Sequence, residues 1–211
     1  MAENTDLWQI ERDLTEQGIG IICGCDEAGA GPLAGPVYAA AVILPPYCRI
    51  EGLNDSKKLT EKKRETLYEA ITQKAVCWAV ARVDAAEIDA TDILSARMKA
   101  MQQAMDALTI QPEIALIDGN RDKGRSAAIT TPHKLVVGGD GKSASIAAAS
   151  ILAKVSRDRF VAGELDERYP QYQFAKHKGY GTKLHYEMLG KFGPCPEHRR
   201  SFLKKWEEKR I

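Results

Sequence analysis

The feature that most constrains this chain is a pair of apolar runs separated by a glycine- and proline-rich break. Ile19 to Cys25 is apolar and reads as a strand, and Val37 to Leu44 is a second, ended by Pro45-Pro46. Between them lie Gly29-Ala30-Gly31-Pro32 and then Gly35-Pro36. The two runs therefore predict a strand–turn–strand hairpin with a permissive loop. Downstream, strands alternate with helices. Thr60 and the stretch Lys63 to Ile71 predict a capped helix, and Val76 to Val83 a third strand. Asp89 to Leu108 predicts one long helix, its core face made by Ile93, Leu94, Met98, Met101, Met105 and Leu108. Ile114 to Ile117 and Lys134 to Val137 are short strands. The Ala-rich stretch Ser143 to Arg168 predicts a helix, as do Thr182 to Lys191 and Phe202 to Arg210. The spacing of Leu7, Ile10 and Leu14 predicts a short helix at the start. This order implies one α/β domain over residues 1–211, with a mixed central sheet and a helical C-terminal extension. The core would run from about 20 to 170, and a basic helical region from about 176 to 211.

Composition narrows the class. With 211 residues, 44% hydrophobic and 28% charged, the chain is long enough for a proper core. The longest apolar runs fall far short of the roughly 20 residues that cross a bilayer, and no signal peptide is evident, so no membrane role is expected. Cys23, Cys25, Cys48, Cys77 and Cys195 are odd in number and scattered, which argues against a disulfide framework and for a reducing, cytoplasmic setting. Cys23 and Cys25 point the same way along a strand and read as small buried thiols. The net charge is +1, yet from Lys176 to Arg210 ten Lys/Arg stand against four Asp/Glu. On charge alone that stretch is either a phosphate-binding face or a set of solvated helices.

Four acids sit where acids are awkward for folding. Asp26 and Glu27 follow the first apolar run, Asp118 follows Ile114-Ala115-Leu116-Ile117, and Asp140 lies in Gly138-Gly139-Asp140-Gly141 before the Ala-rich helix. Each has a local reading as a turn former, an Asx turn or a helix cap. Gathered at strand ends, however, they would repel one another and require cations. All-oxygen ligands without His or Cys favour Mg²⁺ or Mn²⁺. Two such ions about 3.5–4 Å apart can stabilise the attacking and leaving oxygens of a phosphodiester displacement.

Longer motifs add to this. Gly24-Cys25-Asp26-Glu27-Ala28-Gly29 followed by Gly31 to Val37, then Leu53 to Leu59, Ile117-Asp118-Gly119-Asn120, and Gly139-Asp140 come in order. Ser145 to Val155 with Arg157-Asp158, His177 to Thr182, and His198 to Phe202 complete the series. Together they resemble bacterial ribonuclease HII, of the type 2 ribonuclease H family, collinearly from about Gly20 to Phe202. The resemblance implies an RNase H-like fold. It implies hydrolysis of RNA in RNA–DNA hybrids, and nicking of duplex DNA 5′ to an embedded ribonucleotide, leaving 5′-phosphate and 3′-hydroxyl ends. It implies Mg²⁺ or Mn²⁺ held by the catalytic acids Asp26, Glu27, Asp118 and Asp140, the first three as main ligands and Asp140 as the more mobile or substrate-linked member. Gly29, Ala30 and Gly31 would bring backbone groups to the 2′-hydroxyl, and Tyr180 would pack on the deoxyribose beyond it. Asn54, Ser56, Lys57, Lys178, Thr182, His198, Arg199 and Arg200 would contact phosphates, while Lys58 and Lys154 read at least as well as solvated surface as they do as phosphate contacts. A monomer acting on hybrid and ribonucleotide-containing duplex is expected. The chain departs from the family pattern where Ala30 replaces an arginine and Gly138 a lysine. Loss of one charge-assisted phosphate contact costs on the order of 1.5–3 kcal/mol, so a reduced rate is expected.

Overall fold

The computed structural model describes residues 6–53, 56 and 59–208. Asn54 and Lys57, two of the expected phosphate contacts, and Lys58 lie outside the described residues.

The predicted hairpin is present. Strands β1 (Ile22–Ala28) and β2 (Val37–Ile43) pair antiparallel from Gly24↔Val42 to Ala28↔Tyr38, with the Gly/Pro loop between them. β3 (Cys77–Val83) pairs antiparallel on the far side of β2, while β4 (Ile114–Asp118) and β5 (His133–Val136) add in parallel beside β1. The order β3-β2-β1-β4-β5 is a mixed sheet with β1 at its centre. One difference matters for the site. The first strand begins and ends later than the apolar run suggests, so Asp26 and Glu27 lie within β1 rather than beyond it.

Nine α-helices are described. α1 is Gln9–Glu16, α2 Glu61–Lys74, α3 Ala85–Ala90, α4 Ile93–Asp106 and α5 Ala144–Phe160. Then come α6 (Asp166–Arg168), α7 (Phe174–His177), α8 (Lys183–Phe192) and α9 (Arg200–Glu208). Thr60 caps α2 by accepting from the Lys63 amide, and Thr182 caps α8 by accepting from that of His185, both at 3.3 Å. The long helix expected over Asp89 to Leu108 is two. Asp92 accepts from the Ser95 amide at 2.9 Å and starts α4 afresh after a break at Thr91. The Ala-rich helix also stops early, α5 giving way at Val161–Leu165 to a wider π-helical turn.

α4 and α5 cover opposite faces of the sheet. Met98, Met101 and Met105 of α4 pack on Cys23, Cys25, Ala39 and Ala41. Ala148, Ile151 and Leu152 of α5 pack with Ala40 and Val42. Residues of one strand alternate between these two cores, as the pleat requires. α5 lies so close to β1 that a Cβ on Gly24 would stand 2.0 Å from the Ser145 carbonyl carbon. No described helix is long and apolar enough to cross a membrane.

The chain after α5 folds back onto the Gly/Pro loop. Leu33 donates its amide to the Gly179 carbonyl, Arg199 its amide to the Leu33 carbonyl and Gly35 its amide to the Glu197 carbonyl, at 2.8, 2.8 and 2.9 Å. The loop is thereby held between α5 and the C-terminal helices.

Candidate active site

The pleat decides which acids meet. Cys25 and Ile117 are the last parallel partners of β1 and β4 and both face α4, so Asp26 and Asp118 follow side by side on the α5 face. Asp140 arrives on the same side from the short 3-10 turn Gly139–Gly141 that leads into α5. One carboxylate oxygen from each of these three lies within 4.8 Å of the others, Asp26 and Asp140 being buried. Local bonds hold the group. Asp118 accepts from the Gly139 amide at 2.6 Å, which ties β4 to the turn bearing Asp140. Asp26 accepts from the Glu27 amide at 2.7 Å and from the Ser150 hydroxyl. Ser150 in turn bonds Ser56 at 2.7 Å.

Glu27, one residue on, is directed to the α4 side. Its Oε1 pairs with Arg97 Nη2 at 2.6 Å, and its Oε2 is buried without a hydrogen-bond partner among the described residues. The structure therefore gathers three of the four expected acids around one point and places the fourth beside them in an ion pair.

This gathering is electrostatically costly as it stands. Burial first, then the charges of Glu27 and Asp118, push the Asp26 carboxyl well above its ordinary range. Burial likewise raises Glu27, against the opposing pull of Arg97. A buried all-oxygen cluster with mutual repulsion and an unpartnered carboxylate oxygen fits a hard divalent cation, which supplies the missing counter-charge.

The acids open into a cleft of about 220 Å³ lined by Asp26, Glu27, Gly29, Ala30, Asp118 and Lys154, with Tyr180 at its rim. Tyr180 is 41% exposed, and the Lys154 ammonium lies 5.6 Å from its ring centroid. For Lys154 the sequence leaves both a solvated surface role and a phosphate contact open. It is largely covered, anchored on Asp158 at 2.8 Å, and it is the basic side chain among the described cleft-lining residues. Gly29 has φ +93°, and a Cβ there would meet Arg157 Nε at 2.1 Å, so the loop passes the cleft as bare backbone. Gly31 is exposed with open space around it. At the two departures, Ala30 uses its carbonyl to accept from Arg199, and Gly138 has φ +64°, a left-handed conformation in which a lysine would be strained.

Several expected phosphate contacts have other positions. Arg199 is fully buried, and its guanidinium donates to the carbonyls of Gly29, Ala30 and Gly35 at 2.7 to 3.0 Å. With its donors directed to backbone, it holds the loop rather than facing solvent. Arg157, also fully buried, does the same for Ala34, Pro36 and Lys178. His198 is buried against His185, Nε2 to Nε2 at 2.9 Å. Ser56 is buried on Ser150. Lys178 is half-buried, while Thr182 and Arg200 are exposed, Arg200 in an ion pair with Glu207 at 3.2 Å. Sequence reasoning missed Arg97, Arg157 and Ser150. Arg97 carried a signal, because it sits among the apolar positions of the Met-rich stripe, three residues after Leu94 and four before Met101.

An RNase H-like mixed sheet with clustered acids at adjacent strand ends defines a class of phosphodiester-cutting enzymes. The comparisons with known proteins name the family. The model of ribonuclease HII matches residues 23–207. Ribonuclease HII of Idiomarina loihiensis is 58% identical over 182 residues, covering 86% of this chain and 95% of the relative. That of Caldicellulosiruptor bescii is 50% identical over 204 residues, covering 97% of each. Among solved structures, ribonuclease H2 of Pyrococcus horikoshii superposes with a TM-score of 0.72 at 26% identity, covering 90% of this chain and 98% of its own. The chain belongs to the ribonuclease HII family. It is a metal-dependent endoribonuclease acting on RNA–DNA hybrids.

Proposed function

We propose that the chain cuts on the 5′ side of a ribonucleotide, in hybrid or embedded in duplex DNA, leaving 5′-phosphate and 3′-hydroxyl ends. The observation that carries the reading is the meeting of Asp26, Asp118 and Asp140 within 4.8 Å, beside a cleft that Asp26 and Asp118 line together with Gly29, Ala30 and Tyr180. These three carboxylates would hold the divalent cation, Mg²⁺ or Mn²⁺, with Glu27 at its side. When bound, the ions supply activation of water and neutralisation of charge on the leaving oxygen. The chain's own groups do the rest. Ser150 and the Glu27 amide orient Asp26, and the Gly139 amide orients Asp118. The bare backbone of Gly29 to Gly31, fixed by Arg199, lies where a 2′-hydroxyl can be tested by short hydrogen bonds. Tyr180 offers a half-exposed ring to the neighbouring sugar. Lys154 steadies a phosphate in a cleft whose loop carries Ala30. Action as a monomer in the cytoplasm belongs to the same proposal.

The test is cleavage, with Mn²⁺ and with Mg²⁺, of a duplex bearing one ribonucleotide, beside its all-DNA twin. Cutting 5′ to the ribonucleotide alone is the expected result. Equal cutting of both duplexes, or binding with no cutting, would remove it.

A further inference from the structure

Arg97, partly buried on α4 beside the methionines that pack on the sheet, meets the cleft-lining Glu27 from the face opposite the three aspartates. Its contact with Glu27 is half made. Nη2 meets Oε1 at 2.6 Å, but Arg97 Nε and Glu27 Oε2 are both buried with no hydrogen-bond partner among the described residues. A guanidinium and a carboxylate free to optimise only each other close a bidentate fork. Here each partner keeps one buried polar atom in reserve, on a carboxylate that lines the cleft and feels the charge of Asp118. Glu27 is thus shaped to be shared between two cations.

We propose that Arg97 is a resident cation that competes with the divalent ion for Glu27, and so sets how tightly the acidic centre holds that ion. With the centre empty, Arg97 keeps Glu27 from being an uncompensated buried charge. When a divalent ion arrives, Glu27 turns its second oxygen to it and the arginine's hold loosens. The positive charge of Arg97 lowers the local attraction for the incoming ion, so affinity is traded for a centre that stays folded without metal. Arg97 is in these terms a positioning residue acting through Glu27. The inference rests on the reading of the acids as a cation site.

The experiment is calorimetric titration of the full chain with Mn²⁺, without nucleic acid, for the parent, Arg97→Met, Arg97→Lys, Glu27→Gln and the Glu27→Gln/Arg97→Met double variant. Arg97→Met is expected to bind Mn²⁺ about tenfold more tightly, while Arg97→Lys, which keeps the charge, stays within about threefold of the parent. In the Glu27→Gln background the tightening should vanish. Arg97→Gln serves as the second neutral variant if Arg97→Met melts below the working temperature. Equal or weaker binding by the neutral variants overturns the inference, as does the same tightening in the Glu27→Gln background. A parent that binds no Mn²⁺ brings down the cation site itself and this inference with it. A parent that binds, with no tightening on loss of Arg97, brings down the inference alone.

Discussion

The acidic cleft and the C-terminal buttress both bury ionisable groups, and they treat them in opposite ways. In the buttress, the two buried guanidiniums have backbone partners. Arg157 and Arg199 direct their donors to six carbonyls of the loop and its surroundings (Ala34, Pro36 and Lys178; Gly29, Ala30 and Gly35). The buried histidines form a relay with one consistent set of tautomers. The Cys195 amide donates to His198 Nδ1, His198 Nε2–H can donate to His185 Nε2, and His185 Nδ1–H to the Tyr180 carbonyl. At the cleft, Asp26 is buried beside Asp118 and Asp140, and burial with the charges of Glu27 and Asp118 pushes its carboxyl up. The region of backbone-bonded guanidiniums is scaffold, and the region of gathered, mutually repelling carboxylates is where a ligand belongs. The scaffold also reaches the cleft, because the loop it fixes and the tyrosine it carries are both cleft walls.

That contrast orders the predictions. The largest effect is expected in the cleft. Asp26→Asn should lower turnover on the order of a thousandfold, about 4 kcal/mol of transition-state stabilisation, while the fold persists. Single-turnover cleavage with circular dichroism as control checks it, and a loss of fold instead would make Asp26 a scaffold residue. Next comes the buttress. Arg199→Met leaves the carbonyls of Gly29, Ala30 and Gly35 without this donor, at about 1–3 kcal/mol for each buried group left unsatisfied. Urea melts should show a loss of several kcal/mol, and a loss below about 1 kcal/mol would erase the distinction between the regions.

A smaller effect sharpens the contrast by pH. Burial, first among the causes, pushes His198 down to about 3 and His185 down to about 4. The unfolded chain takes up these protons near pH 6.5, the folded chain only far below. The stability they contribute is therefore complete above pH 6.5 and is lost as pH falls through about 4 and then about 3. A second proton would also set two donors face to face at Nε2. His198→Phe should melt lower at pH 7 yet depend less on acid, and an unchanged slope between pH 6.5 and 4 would contradict the relay. The smallest effect belongs to Lys154. Lys154→Met should reduce the slope of log binding against log salt by about 1 for a hybrid duplex, and an unaltered slope would return Lys154 to the solvated surface.

How much of this was legible before the structure depended on whether the physics was local. The hairpin, the Met-rich core face and the Thr60 cap follow from neighbours in sequence, and they are present. The break at Thr91 was missed because Asp92 caps α4 in the middle of an otherwise periodic stretch. The acids were recognisable one by one, and their order in the motif series carried the substrate class. That Asp26 and Glu27 would part to opposite faces was implicit in the strand period, once both are placed inside β1. The fate of the basic residues was not legible. Arg199 and Lys154 are both cations in motifs, and only the tertiary packing turns one onto carbonyls and the other into the cleft. Charge in a sequence does not say whether a guanidinium meets phosphate or peptide.

The central claim is that the buried acids of β1, β4 and the turn before α5 form a cation site. It is tested most directly by the melting temperature with and without Mn²⁺, for the parent and for Asp118→Asn. The parent should gain stability with Mn²⁺, by about 2.7 kcal/mol at a hundredfold excess over the dissociation constant. Asp118→Asn, relieved of repulsion, should melt no lower than the parent in chelator and gain almost nothing from Mn²⁺. A parent indifferent to Mn²⁺, or an Asp118→Asn chain stabilised as strongly as the parent, would contradict the account.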